Sequence, residues 1–315
     1  MSIARAMTAS PPRICCREIV KADCESLSGL LTSGFGKSRD HWIQILNRLA
    51  KHRTPRGFPA YGYLLEADGE PVGVIFLIFT TVQVNGEIRT RCSVCSWHVK
   101  SPFNCYATLL TSRAYRRKDV TYVVVAPAPH TLAILKAQGY ECYCGGWFAT
   151  IPSLFARSHG ASVSAVTSNI RPGHDLQSAE IDLLLDHAGY GCLSLICESG
   201  KIRHPFVFMT RKIGVVSFAY LVYCRSIRDY VRFAGPLGRY LARRGVFVIA
   251  LDSNDQIPGL FGRYFDRYPK YYKGPDRPRL GDLSYSELAM FRFAGDRVSR
   301  SKRPRLFSSG DTGKV

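Results

Sequence analysis

The chain has 315 residues, 46 % of them hydrophobic, and carries 43 Lys and Arg against 24 Asp and Glu, a formal net charge of +19. That length exceeds a typical single domain and supplies enough apolar mass for two cores, while the charge predicts a surface that attracts polyanions: nucleic acid, anionic lipid or a phosphorylated cofactor. No segment approaches the ~18 uninterrupted apolar residues of a membrane-spanning helix, and MSIARAMTASPPRICC lacks the apolar stretch of a secretion signal. Eleven cysteines over this length form no compact disulfide framework. Cys92, Cys95, Cys197 and Cys224 sit inside apolar runs, which fits a reducing, cytoplasmic compartment.

In chain order, residues 1–16 read as a flexible start. A helix is expected within 17–34, with Asp23 as cap and Leu27, Leu30 and Leu31 on its apolar face, and a second over 39–52 behind Ser38 or Asp40, with Trp42, Ile45, Leu46 and Leu49 at helical spacing. Three strand-like runs follow, joined at Asp68-Gly69 and Asn85-Gly86, and predict an antiparallel meander. Residues 104–117 read as a helix with Tyr106, Leu109, Leu110 and Ala114 inward; Val120 to Val125, apolar throughout, reads as a strand covered on both faces. A short helix over 130–138, closed by Gly139, leads to a strand over 140–147.

The small, polar stretch 160–173 reads as a linker. Beyond it come a helix over 176–187, strands over 192–197, 205–211 and 216–224, a helix over 227–244, a strand over 246–251 and a helix over 258–267. This repeats the element order of 104–146 and predicts a structural duplication. The expected organisation is therefore a domain over 17–157, a linker over 158–174, a second domain over 175–295 and a disordered basic tail over 296–315.

The block DVTYVVVAPAPHTLAILKAQGYECY, preceded by two helices, a meander and a helix, resembles the GNAT (GCN5-related N-acetyltransferase) acyl-CoA acyltransferase superfamily over about residues 17–152. The resemblance implies an α/β fold with a mixed sheet, present as two tandem lobes. It further implies acyl transfer from acyl-CoA or acetyl-CoA to an amine acceptor in a ternary complex, with no metal. In that family the fourth and fifth strands splay around the pantetheine arm, and the pyrophosphate meets backbone N–H groups at the start of the third helix. Here the corresponding turn includes Val99, Asn104, Cys105, Tyr106 and Ala107. Asn104 stands where the family has Arg or Gln, and Ala107 and Leu109 where it has small residues, chiefly Gly. The second lobe offers Arg232, Gly235 and Gly238, with Leu237 at a position that is small in the family.

Transfer to an amine requires a proton acceptor for the nucleophile and a proton donor for the leaving thiolate. The family's Tyr acid falls here on Leu135. Ser96, His98 and His130 are the polar groups near the expected cleft that could relay a proton, although a His at a strand end also serves as an ordinary surface residue. Cys92 and Cys95 with Cys142 and Cys144 supply four thiols, but strand alternation sends Cys92 and Cys95 to opposite faces, against a zinc site. Cys105 at a helix start is a possible nucleophile by type. The run Lys270-Tyr271-Tyr272-Lys273 with Arg277 and Arg279 interleaves aromatics and cations as nucleic-acid contacts do, or packs a Tyr pair under a charged edge. Beside the acyltransferase reading stand a catalytically degenerate GNAT-like binder of an anionic ligand or protein partner, and a nucleic-acid-binding protein.

Overall fold

The computed structural model describes residues 11–155, 160–213 and 216–291, and the expected tail 296–315 lies outside them. In chain order its elements are β1 (Ile14–Glu18), α1 (Cys24–Phe35), α2 (Arg39–Lys51), β2 (Gly62–Ala67), β3 (Glu70–Val84), β4 (Glu87–Val99), α3 (Ala107–Ala114), β5 (Val120–Val124), α4 (Leu132–Ala137), β6 (Glu141–Cys144), β7 (Gly146–Thr150), β8 (Ala161–Ala165), α5 (Ser178–Gly189), β9 (Leu193–Ser199), β10 (Ile202–Ile213), β11 (Val216–Cys224), α6 (Ile227–Ala242), β12 (Val246–Ser253), β13 (Gly262–Phe265), β14 (Lys270–Lys273) and α7 (Glu287–Met290). They form two mixed seven-stranded sheets, ordered β1-β2-β3-β4-β5-β14-β6 and β8-β9-β10-β11-β12-β7-β13.

The first unit comprises 11–146 and Asp266–Phe291, the second Trp147–Phe265. Each sheet thus receives its sixth strand from a distant stretch: β14, after β13 in sequence, lies between β5 and β6, and β7, directly after β6, lies between β12 and β13. Neither unit is contiguous with the expected 17–157 and 175–295. Residues 147–155 sit with the second unit, and 266–291 return to the first. The single strand expected over 140–147 is two strands in two sheets, parted at Gly145.

Local chemistry explains most of the elements. Asp68 and Gly69, and Asn85 and Gly86, all take positive φ (51°, 86°, 51° and 85°). These are hairpin turns whose twist matches that of the flanking strands. The Ser38 hydroxyl caps α2 by accepting from the His41 N–H at 3.2 Å, and Trp42, Ile45, Leu46 and Leu49 are buried. β3 is buried at ten consecutive positions. Ile75, Leu77 and Phe79 join the core under Leu110 of α3 and Leu135 of α4, and the alternate residues face the side contacted by α1. In the second unit Phe206, Phe208, Leu221, Phe233, Leu237 and Ile249 form the equivalent core under α6.

Several expectations are corrected. Residues 14–16 belong to β1, paired with β2 at Ile14↔Ala67, so the start is ordered from there. Asp23 does not cap α1: its carboxylate is held by Arg17 at 2.7 Å and accepts from the Val20 N–H at 2.8 Å. The helix expected over 104–117 is a 3-10 turn, Ser101–Tyr106, followed by the shorter α3. The linker 160–173 contains β8, paired with β9. The helix expected over 258–267 is replaced by β13, paired with β7; Gly259 takes a φ of +85° there, which a helix interior does not accommodate.

Candidate functional site

The parallel pairing of β4 with β5 covers only Thr90–Ser93 against Val120–Val123, although β4 continues to Val99. One feature of β4 accounts for the departure. In the β3–β4 ladder Val74 faces His98 and Phe76 faces Cys95, so Ser96 and Trp97 together oppose Ile75. Ser96 takes a φ of 49°. This is a β-bulge: an inserted residue bends its strand and re-aims the backbone beyond it. Among the described residues, the β5-facing edge of β4 after Ser93 has no strand partner and the buried Trp97 indole Nε1 has no hydrogen-bond partner. A buried donor without an acceptor is costly.

The second unit has a related departure. β11 pairs with β12 from Ser217↔Val246 to Tyr220↔Ala250 and no further, and its ladder with β10 skips a residue between Val207↔Tyr223 and Phe208↔Leu221. Here side chains bridge the strands: the Tyr220 hydroxyl donates to the Asp252 carboxylate. The following helix start is also closed. The Ser226 hydroxyl accepts from the Asp229 N–H at 3.0 Å, and Arg225 is held by Glu180.

Of the expected site residues, Ser96, His98 and Val99 lie on the bulged end of β4. Asn104, Cys105 and Tyr106 lie on the 3-10 turn and Ala107 opens α3, and neither the turn nor the helix has a side-chain cap. His98 packs over Gly34 of α1, where an added Cβ would come within 2.6 Å of its ring, and its ring lies 5.7 Å from that of Phe35. Burial, then the Lys100 charge, lowers the His98 pKa, so the imidazole is neutral at pH 7. His130 is exposed on the turn Pro129–Thr131, and no described hydrogen bond joins it to Ser96 or His98.

Arg232, Gly235 and Gly238 fall inside α6 and not at its start. A backbone N–H at that depth is directed to the carbonyl four residues back and is not free for a phosphate. Gly238 has a packing reason instead: its Cβ would lie 2.4 Å from the Ser153 N and 2.5 Å from the Pro152 carbonyl carbon. Leu135 is 4 % exposed and belongs to the core. Cys92 and Cys95 are buried free thiols, raised by burial, and among the described residues no group of three or more His, Cys, Asp or Glu could hold a metal. The run at 270 is β14, with Lys270 and Tyr271 buried.

One ionisable group at this site gave no sequence signal. Glu287, in the first turn of α7, lies close enough to Cys95 to raise that thiol's pKa, one residue before the bulge. Burial pushes the Glu287 carboxyl up to about 8, although the residue retains partial exposure. The segment carrying it is anchored on the first unit by Arg48, which donates to the Met290 carbonyl at 2.8 Å, and by Tyr285, whose ring lies 5.2 Å from that of His52.

No family model and no curated protein matches the chain. Solved structures do. A GCN5-related N-acetyltransferase from Anabaena variabilis ATCC 29413 superposes with a TM-score of 0.58 at 10 % identity, over 82 % of this chain and 72 % of that one. A putative acetyltransferase from Pyrococcus horikoshii gives 0.56 at 13 %, over 92 % and 99 %. A probable N-acyltransferase from Enterococcus faecalis V583 gives 0.54 at 11 %, over 87 % and 74 %. With its bulged β4, its parted parallel strands and its α3 and α4 crossovers, the chain has the fold of the GCN5-related N-acetyltransferase superfamily.

Proposed function

We propose that the first unit is an N-acyltransferase domain that takes an acyl-CoA in the opening between β4 and β5 and passes the acyl group to an amine. The observation that carries this reading is the end of β4–β5 pairing at Ser93↔Val123, just before the bulge at Ser96. An extended amide-bearing arm laid there would pair with the free edge of β4 as an added strand, and the Trp97 Nε1–H would gain an acceptor. The uncapped turn Ser101–Tyr106 and the start of α3, with Asn104, Cys105, Tyr106 and Ala107, would meet the diphosphate through backbone N–H groups. The capped α6 and the Tyr220–Asp252 bridge make the second unit the poorer host.

Acyl-CoA supplies a thioester whose carbonyl carbon accepts the amine nitrogen while the C–S bond breaks. Glu287 is the group we assign to take the proton the amine must lose, because a carboxyl raised to about 8 is matched to proton transfer near neutral pH. His98, neutral and one residue beyond Trp97, is the alternative acceptor, and Ser96 and His130 are left without a proton-transfer role. With Leu135 in the core, the departing thiolate takes its proton from solvent. The direct test is isothermal titration of the full chain with acetyl-CoA. Binding is expected, and no detectable heat at millimolar ligand overturns the proposal. Release of free CoA thiol with a panel of amines then distinguishes transfer from binding alone. A cytoplasmic location belongs to this reading, and among the described residues no helix is long and apolar enough to cross a membrane.

A further inference from the structure

A shallow groove of ≈ 540 Å3 on the first unit runs along α3 from Thr108 to the α3–β5 connection, beside the end of α4 and β14; Tyr115, Arg116, Lys118, Gln138 and Lys273 line its far end. Its position differs from that of the acyl-donor opening. Lys273 pairs with Tyr122 near the start of β5, whereas β4 and β5 part beyond Val123, at the other end of that strand. The cationic end of the groove therefore lies toward the start of β5, away from where the strands part.

Three cations line it and no carboxylate does. Arg117 next to them is taken up by Asp119 at 2.8 Å, but Arg116, Lys118 and Lys273 have no acidic partner among the described residues. Lys273 is held in place: its Nζ donates to the Gln138 carbonyl oxygen at 2.5 Å and lies 5.8 Å from the centroid of the Tyr115 ring. The Gln138 side-chain Oε1 is buried with no hydrogen-bond partner, an acceptor in need of a donor. Tyr115, raised by burial to about 12, keeps its phenolic proton at any physiological pH and can donate.

We propose that this groove is a second ligand site, for a small phosphate ester that also carries a free hydroxyl. The phosphate meets Arg116, Lys118 and Lys273, for which a compact dianion is the complementary charge. The ligand hydroxyl donates to Gln138 Oε1, whereas inorganic phosphate has only its single P–OH, on the same group the cations hold, to offer. The site requires both parts, and the second distinguishes it from diffuse attraction to a chain of charge +19.

Titration of the full chain at low salt, by calorimetry or phosphorus NMR, with inorganic phosphate and with glucose 6-phosphate tests this. Glucose 6-phosphate is expected to bind more tightly than phosphate. The double variant Arg116→Ala/Lys118→Ala, at two exposed positions, should weaken it by at least about tenfold, while Lys37→Ala, an exposed cation between α1 and α2, should leave it unchanged. Gln138→Leu should erase the preference for the ester over phosphate. Acetyl-CoA binding should be the same in all variants, which keeps this result separate from the donor site. The proposal is overturned by absence of binding at about 10 mM ester, by equal weakening in Lys37→Ala, or by displacement of the ester by acetyl-CoA.

Discussion

Arg91 of β4 and Asp282 of the returning C-terminal segment form a buried ion pair, with 3.1 Å between Nη1 and Oδ2 and side-chain exposures of 8 % and 11 %. The guanidinium also donates to the Ser284 carbonyl at 3.1 Å and hydroxyl at 2.9 Å. This pair fastens the 266–291 stretch to the strand that carries the bulge, and so positions Glu287.

Removing one partner of such a pair leaves a buried charge uncompensated. Arg91→Met is expected to cost about 3–5 kcal/mol by denaturant titration, and Asp282→Asn less. Burial by itself would raise the Asp282 carboxyl, but the Arg91 and Arg279 charges and the hydrogen bonds from Arg91 and Ser284 hold it well below the usual carboxylate range. A lowered folded pKa means that the unfolded chain binds the proton first as pH falls. The contribution is therefore full above about pH 4 and is lost in acid, and Asp282→Asn should flatten the acid limb of a stability-against-pH curve.

Glu287 carries the opposite sign. Its folded pKa is raised to about 8 from the ordinary value of 4.5 for a free glutamate side chain, so between those values the folded state holds a proton that the unfolded state has released. Wild-type stability should fall as pH rises through that window. Glu287→Gln should match wild type near pH 5 and melt higher near pH 9, by about 2–4 °C for each kcal/mol recovered. If Glu287 is also the base, the same variant lowers kcat for amine acylation and removes the ascending limb of the pH profile while acetyl-CoA affinity is kept.

Gly238 is expected to tolerate no side chain. With a Cβ 2.4 Å from the Ser153 backbone N, Gly238→Ala must displace α6 from the turn Pro152–Leu154. A loss of about 1–3 kcal/mol in chemical denaturation is the expected result. A phosphate-binding role would instead show as weaker CoA binding at unchanged stability.

Ser96 holds a left-handed conformation that a β-branched residue adopts only under strain. Ser96→Val should cost about 1–3 kcal/mol and reduce acetyl-CoA affinity, because it favours an unbulged β4. Ser96→Gly should stay within about 1 kcal/mol of wild type and keep the affinity. Thermal melts and calorimetry on both variants check this.

The meander was legible because its determinants are local. Asp68-Gly69 and Asn85-Gly86 write their turns in two residues each, and the antiparallel pairing of β2 with β3 and of β3 with β4 follows from them. The 119–143 block was equally legible: an apolar strand, a Pro-interrupted turn and a Gly-closed helix. The site was legible in part. Ser96, His98 and Val99 were read on the third meander strand, which is β4, but the bulge at Ser96 depends on β3 opposite it. Arg232, Gly235 and Gly238 imitated a phosphate-binding turn in a segment that is helical throughout.

The sequence by itself determined the charge, most of the element types and the strand-helix-strand order of a GNAT-like fold, because periodicity and turn chemistry act over a few residues. Only the tertiary structure decided which strand joins which sheet. The four-residue β14 has no periodicity that names β5 and β6 as partners, and its sequence reads equally as a nucleic-acid contact or as a packed Tyr pair until the core of the first unit closes over Tyr271. The same return of the chain buries Glu287 beside Cys95. A glutamate in a stretch to which the sequence assigned no element becomes a raised carboxyl only when packing removes the water around it.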